Sequence, residues 1–351
     1  EATVPLRTAS LLTLAQLNLV KERWDKGISL ILQWMSEVET VTAQSYYLLA
    51  SAYFQKTDYV RARSNMEEAI RLAEEEGYRP KENWYVLLAA CFSELKDKKI
   101  ISAQFALEQQ VGIYEILVNY YPKKLYFLQL GGTYQQMDRE EDYMLTLKAA
   151  YEKDLLDKEG EYLALAQMLL LKKNPYWAAQ VLVAGQQKKV TITDEDTGEE
   201  EVVAVVKDKE KTLKLLADAW RMAQEIDKAI PVLEKAAKMS KDGDTYVLLG
   251  NLYLFEDRME DSIRAIEAGL KKAKVKSRSQ ALLVLGQAHF ELQNFEEAKK
   301  HFRAAARDED KRIKKTANSW IKYAENEEIR VKNLALRRDF IQQSQAKSKN
   351  S

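Results

Sequence analysis

The sequence predicts an all-α fold, a solenoid of about eight helical hairpins stacked in order along the chain. Its composition is typical of such a fold, since only 12 Gly and 5 Pro interrupt 351 residues of which 46% are hydrophobic. A pattern of alternating large and small residues also recurs along the chain. Its clearest copy runs large, large, small, large, small, large, small through Leu282, Leu285, Gly286, His289, Ala298, Phe302 and Ala305.

The small residue of each first helix sets the period of the repeat. It falls at Ala15, Ala50, Ala89, Gly131, Ala166, Ala217, Gly250 and Gly286, at intervals of 35, 39, 42, 35, 51, 33 and 36 residues. A small residue lets two antiparallel helices approach closely, and each hairpin leaves an apolar face for the next hairpin to cover. Over roughly residues 8–310 the pattern resembles the tetratricopeptide repeat of 34 residues. That resemblance implies a right-handed superhelical solenoid whose first helices line a concave surface.

The 51-residue interval indicates an insertion at residues 188–209. Alternating Val190 and Ile192, then Val202, Val203 and Val205, flank a turn and predict a β-hairpin near residues 190–206. The turn is rich in acidic residues but lacks the alternating ligand spacing of a calcium loop, which favours a solvated tip. An insertion into a regular array is also a candidate contact for a partner. The acidic residues are Asp194, Glu195, Asp196, Glu199, Glu200 and Glu201.

Residues 311–341 continue the helical periodicity without starting another copy, which predicts a C-terminal capping helix. Residues 342–351 are polar and are predicted to form a disordered tail. From residue 311 onward, eleven basic and four acidic residues give a net charge of +7. A solvated face of the cap is one interpretation of this charge, and a basic contact for an acidic partner or a lipid surface is the other.

The sequence does not favour an enzyme. Overall charge is balanced, with 54 Lys+Arg and 54 Asp+Glu, so no global field selects nucleic acid or an anionic membrane. The single cysteine, Cys91, is predicted to be buried and excludes an internal disulfide or a multi-thiolate metal site. The only histidines are His289, predicted in the core, and His301, predicted on an exposed helix face, without metal spacing. No metal or other cofactor is expected, and no apolar run is long enough to span a bilayer.

Repeat phase predicts a partner-binding groove on the first helices. Amide side chains one position after the small residue suit the backbone of a bound extended segment or amphipathic helix. Apolar side chains four or five positions after it are candidate anchors, although apolar residues at helical spacing are more often core. The predicted groove residues are Gln16, Phe54, Gln167, Leu170, Asn251, Leu254, Phe255, Gln287 and Phe290.

Two stretches, Gln44–Asp97 and Tyr114–Met137, resemble gammaproteobacterial periplasmic tetratricopeptide-repeat proteins associated with TonB systems. The resemblance implies an export signal removed before Glu1, a periplasmic location and a protein or peptide partner among TonB-system components. Two alternatives stay open. One is a cytoplasmic assembly chaperone or adaptor, which would bind clients through the same groove. The other is a regulatory subunit of a larger enzyme complex.

Overall fold

The computed structural model describes residues 4–193, 198–272 and 274–349 and places 17 helices and two strands in them. Sixteen of the helices form eight consecutive hairpins, as the repeat count predicts. The chain divides into two compact units, Glu1–Leu156 and Asp157–Ser351, where the sequence predicts one continuous solenoid. The division falls in the segment between the fourth and fifth hairpins.

The first unit holds four hairpins, and within it each hairpin packs on the next. Its first helix begins at Val4, before the predicted start of the repeats at residue 8. The helices are α1 (Val4–Val20), α2 (Trp24–Glu37), α3 (Ala43–Gln55), α4 (Tyr59–Glu75), α5 (Glu82–Asp97), α6 (Ala103–Tyr120), α7 (Lys124–Gln136) and α8 (Glu140–Glu152).

The second unit holds the other four hairpins, a two-stranded sheet and a long C-terminal helix. The strands are β1 (Lys189–Thr193) and β2 (Glu200–Ala204). The helices are α9 (Glu159–Leu171), α10 (Pro175–Gln187), α11 (Glu210–Met222), α12 (Ile226–Met239), α13 (Asp244–Phe255), α14 (Met259–Leu270), α15 (Arg278–Glu291), α16 (Phe295–Ala305) and α17 (Lys311–Lys349).

A residue with a left-handed backbone closes every hairpin. These residues are Glu22, Thr57, Lys99, Asp138, Lys173, Gln224, Asp257 and Gln293, with φ between 55° and 61°. Each lies seven residues after the small residue of its first helix, except Lys99, which lies ten after Ala89. The three extra residues lengthen α5 by almost one turn. The 42-residue interval between Ala89 and Gly131 therefore arises from longer helices, in a stretch whose sequence has no loop composition.

The small residues of the pattern lie where two helices meet. A Cβ added to Gly250 would come 2.5 Å from Ile266, and one added to Gly286 would come 2.5 Å from Phe302. Tyr143 breaks the pattern by placing a large side chain at a small position. Its ring is accommodated because Gly131 opposite has no side chain, and a Cβ there would lie 3.0 Å from the ring.

The insertion forms the predicted β-hairpin, with β1 and β2 antiparallel and Val190 opposite Val203. Most side chains of both strands are exposed, and the insertion is tied to the helices by Val205 and Val206, which follow β2 and are buried. The predicted acidic turn residues Asp194, Glu195 and Asp196 lie outside the described residues.

The C-terminal helix α17 packs on α15 and α16 through its first half, where Ala317 and Ala324 are fully buried. It runs to Lys349, so the prediction of a disordered tail from residue 342 is wrong over residues 342–349. Gln, Ala and Lys, which recur in that segment, are good helix formers. Among the described helices, none has the length and apolar character needed to cross a membrane.

Candidate binding surface

A row of exposed apolar side chains marks the second unit. Leu171, Met222 and Phe255 are the last residues of α9, α11 and α13, and each lies five positions after the small residue of its repeat. Their exposed fractions are 80%, 48% and 70%. We call these three residues the apolar row. Large apolar side chains exposed at equivalent places on a rigid array are typical of an interaction surface.

The positions one residue earlier, Leu170 and Leu254, are half-buried. Leu254 packs against the buried core formed by Val247, Ile266 and their neighbours. Both residues were predicted to line the groove, and the structure corrects this in part because much of each side chain is turned toward the protein. Leu254 thus supports the end of α13 from which Phe255 projects.

Phe290 was also predicted to line the groove, and that prediction is wrong. Only 9% of its surface is exposed, because α17 lies against this end of α15. Its ring centroid lies 5.5 Å from that of Trp320 and 5.1 Å from that of Tyr323, and it also contacts Phe295. Phe290 is therefore part of the core that holds the C-terminal helix.

The predicted amide residues of the second unit differ in how accessible they are. Gln167 is exposed, whereas Asn251 and Gln287 are half-buried. The Asn251 Nδ2 donates a hydrogen bond of 2.9 Å to the carbonyl oxygen of Val247 in its own helix. Its Oδ1 is the atom that could accept a hydrogen bond from a partner backbone.

The remaining two predicted residues, Gln16 and Phe54, belong to the first unit. Gln16 is exposed, and Phe54 is half-buried with its ring edge-on to Tyr59 at a centroid distance of 5.1 Å. The nine predicted residues are thus divided between two units, with seven in the second. Leu171 and Met222 were not among them, although they share the repeat phase of Phe255, and that phase was the signal that could have found them.

The two histidines lie together. The rings of His289 and His301 stack at a centroid distance of 5.4 Å and an interplanar angle of 12°. Contrary to prediction, His301 is half-buried, because α15 and α16 pack closely at this point. Burial lowers the pKa of both imidazoles, and the neighbouring His289 lowers the pKa of His301 further. The His289 Nδ1 is buried without a hydrogen-bond partner in the described structure.

Cys91 is fully buried, as predicted, and burial raises the pKa of its thiol to about 12. A thiol with so high a pKa is protonated at neutral pH and is a poor nucleophile. In the part of the chain that the structure describes, His, Cys, Asp and Glu side chains form no group of three or more that could hold a metal ion.

Comparison with known proteins identifies the repeats in both units. The tetratricopeptide-repeat family matches residues 43–76, which span α3 and α4, and residues 247–311, which span most of α13 through α16. No curated protein sequence matches the chain.

Similar solved structures include MamA, at 19% identity and a TM-score of 0.40 over 53% of this chain and 97% of that one. YrrB, described as a tetratricopeptide-repeat protein with an unusual peptide-binding site, is 12% identical, with a TM-score of 0.44 over 58% of this chain and 96% of that one. The TPR2AB domain of yeast Sti1, in complex with pHSP90, is 10% identical, with a TM-score of 0.31 over 91% of this chain and 98% of that one. The tetratricopeptide-repeat family thus matches one hairpin of the first unit, α3 with α4, and the last two hairpins of the second unit, α13 through α16.

Proposed function

We propose that this protein is a non-enzymatic scaffold that binds a polypeptide through the apolar row of its second unit. The exposure of Leu171, Met222 and Phe255 at equivalent repeat positions carries the proposal. Tetratricopeptide repeats are typical of protein-interaction scaffolds without catalytic activity, which supports it. A partner that buried these side chains would gain on the order of 1.5–3 kcal/mol for each one fully removed from water.

The spacing of the row suits a partner that presents apolar side chains at regular intervals. Extended strands and amphipathic helices both present side chains on one face at regular intervals. Both kinds of segment can therefore place one anchor against each successive first helix. Gln167 and the Oδ1 of Asn251 are polar groups near the row that could bind the partner's backbone.

The proposal is tested with a peptide ligand selected by display against the whole chain. We expect Phe255→Ser and Leu171→Ser each to weaken binding about tenfold or more, which corresponds to about 1.4 kcal/mol, because anchors in a few positions dominate such interfaces. Met239→Ser is the matched control, since Met239 is 50% exposed at the end of α12 and lies outside the row.

Thermal melts of each variant show whether the fold is intact. Unchanged binding by both row variants, or an equal loss in the Met239 variant, would show that the apolar row is not the binding surface.

We further propose, from the resemblance of Gln44–Asp97 and Tyr114–Met137, that the protein acts in the periplasm as an accessory component of a TonB-linked uptake system. Fractionation of cells that carry the natural gene with a C-terminal tag tests the location. Uptake of iron complexes in a deletion strain tests the role, and we expect it to fall. A cytoplasmic location with normal uptake would contradict the proposal and favour an assembly chaperone.

A further inference from the structure

The first three turns of α17 carry an uncompensated positive charge. Between residues 311 and 322 there are five basic residues and no acidic one. Lys311, Lys314, Lys315 and Lys322 are exposed, and within the described residues none of them forms an ion pair. The fifth, Arg312, lies 3.7 Å from Asp310. We call the four lysines the basic face.

Other basic residues of the same region are paired. The Lys299 Nζ lies 2.7 Å from both Glu296 and Glu328, and the Lys332 Nζ lies 2.6 Å from Glu328. Arg330 is paired with Glu327 three positions earlier. The four lysines of the basic face therefore differ from these residues in having no carboxylate partner within the described part of the chain, and their charge is available to a ligand.

Two adjacent shallow depressions run along this part of α17. One, of about 460 Å³, is lined by Lys311, Lys314, Lys315, Asn318, Ser319 and Lys322. The other, of about 570 Å³, is lined by Arg312, Lys315, Thr316, Ser319, Trp320 and Tyr323. Because Lys315 and Ser319 line both, the surface combines ammonium groups on one side with two aromatic rings on the other.

This arrangement is unfavourable for the isolated chain. Lys311 repels Lys314 and Lys315, which lie three and four positions further along the helix. Cations in the first turn also face the positive end of the helix dipole. A bound anionic group would relieve both effects.

We propose that the basic face binds an acidic segment of a partner polypeptide, with an apolar side chain of that segment against Trp320 and Tyr323. The twelve residues from Lys311 to Lys322 span about 16 Å of helix, which matches about five residues of extended chain. Carboxylates spaced along such a segment could reach several of the ammonium groups at once.

The surroundings favour a short acidic peptide over nucleic acid or an anionic membrane. Asp308, Glu309 and Asp310 lie directly before the basic face and would repel a longer polyanion. The whole chain carries 54 basic and 54 acidic residues, so it lacks the long-range field that steers binding to phosphate backbones. The depressions are concave and partly aromatic, whereas a membrane surface is flat.

The experiment uses the full chain and a defined probe, an octapeptide of alternating aspartate and glutamate with one central tryptophan and with both termini blocked. We expect the combined variant Lys314→Glu, Lys315→Glu, Lys322→Glu to bind it at least tenfold more weakly than the unaltered chain. Raising the salt concentration should weaken binding by the unaltered chain, because exposed charges are screened.

The matched control is Lys211→Glu, Lys238→Glu, Lys241→Glu, which makes the same charge change at exposed, unpaired lysines of the second unit outside α17. Its affinity should stay within about twofold of the unaltered chain. Melting curves should show both triple variants folded. Carboxylates are favourable in the first turns of a helix, so the reversal at residues 314 and 315 should not unfold α17.

Four outcomes would overturn the proposal. The first is that the unaltered chain does not bind the peptide, and the second is that the control variant loses as much peptide affinity as the α17 variant. The third is that a 20-nucleotide single-stranded DNA or phosphatidylserine vesicles bind more tightly than the peptide at the same lysines. The fourth is self-association of the chain that the charge reversal abolishes. The last would assign the basic face to a second copy of this chain. The apolar row plays no part in this test, so either proposal can fail without the other.

Discussion

At the scale of single residues, the two helices of a hairpin approach closely where one of them carries a glycine, which has no side chain. Gly250 is the clearest case, because the Ile266 side chain of the facing helix occupies the space that a Cβ at Gly250 would need. We expect Gly250→Leu to lower the free energy of unfolding by about 1–3 kcal/mol or more through overpacking.

The matched control for this prediction is Gly160→Leu, because Gly160 is exposed in α9 and a Cβ there meets nothing within 4 Å. This change should leave stability equal or slightly higher, since leucine favours helix over glycine. Urea denaturation of both variants measures the difference. Equal stabilities would contradict the assignment of Gly250 to the helix contact.

The stacked histidines make stability depend on pH near neutrality. Because burial lowers the pKa of His289 and His301 in the folded protein, the unfolded chain takes up protons more readily. The neutral pair makes its full contribution to the free energy of unfolding above the ordinary histidine pKa of about 6.5. That contribution is lost as the pH falls from this value through the lowered pKa of the folded protein.

We therefore expect the melting temperature to fall between pH 7.5 and pH 5, and His301→Gln to reduce that fall. Glu328 contributes separately to the pH dependence of stability. Lys299 and Lys332 hold its pKa at about 2, so its stabilisation is lost in more acidic solution, below the ordinary glutamate pKa. If His301→Gln and His289→Gln both keep the slope of the unaltered chain, the pair does not control this pH range.

At the scale of elements, α17 changes the environment of the last repeat. Phe290 lies four positions after the small residue of its repeat and is covered by α17, whereas Phe255 lies five positions after its own small residue and is 70% exposed. We expect Phe290→Ala to cost about 3–5 kcal/mol, as for a buried aromatic side chain, and Phe255→Ala to change stability by no more than about 0.5 kcal/mol.

Thermal and chemical denaturation of the two variants checks this contrast. Similar losses of stability in both would mean that Phe255 belongs to the core and that the apolar row is not free to bind. A loss in neither would mean that α17 does not pack on α15 in solution.

At the scale of the whole molecule, each compact unit has buried clusters of its own. In the first unit one cluster surrounds Trp84 and Phe92, and in the second another surrounds Phe302. In a repeat array, stability is approximately a sum over repeats and the contacts between neighbours. We expect residues 1–156 and 157–351, produced separately, each to be helical and to unfold cooperatively.

Circular dichroism and thermal melts of the two fragments test this expectation. The sum of their spectra should match that of the whole chain. A fragment that is unfolded, or that melts without a transition, would show that its repeats require the rest of the chain.

The sequence alone predicts the eight hairpins from the repeat pattern, the β-hairpin from the alternating apolar residues of the insertion, and the cap from continued helical periodicity. It can do so because helix pairing depends on local spacing, such as the small residues Gly250 and Gly286 opposite Ile266 and Phe302. The longer α5 could likewise be inferred from a stretch without loop composition. These features are encoded within about 40 residues of chain, where sequence distance and spatial distance agree.

Which side of each helix stays uncovered depends on elements far away in the sequence. Phe290 is buried because Trp320 and Tyr323 lie on it, whereas Leu171 remains exposed. Likewise, the stacking of His289 and His301 depends on how closely α15 and α16 approach. The sequence by itself thus determined the hairpins and the phase of the candidate anchors. Only the tertiary structure decided which anchors are free, because burial depends on the neighbours that cover a side chain as well as on its helix.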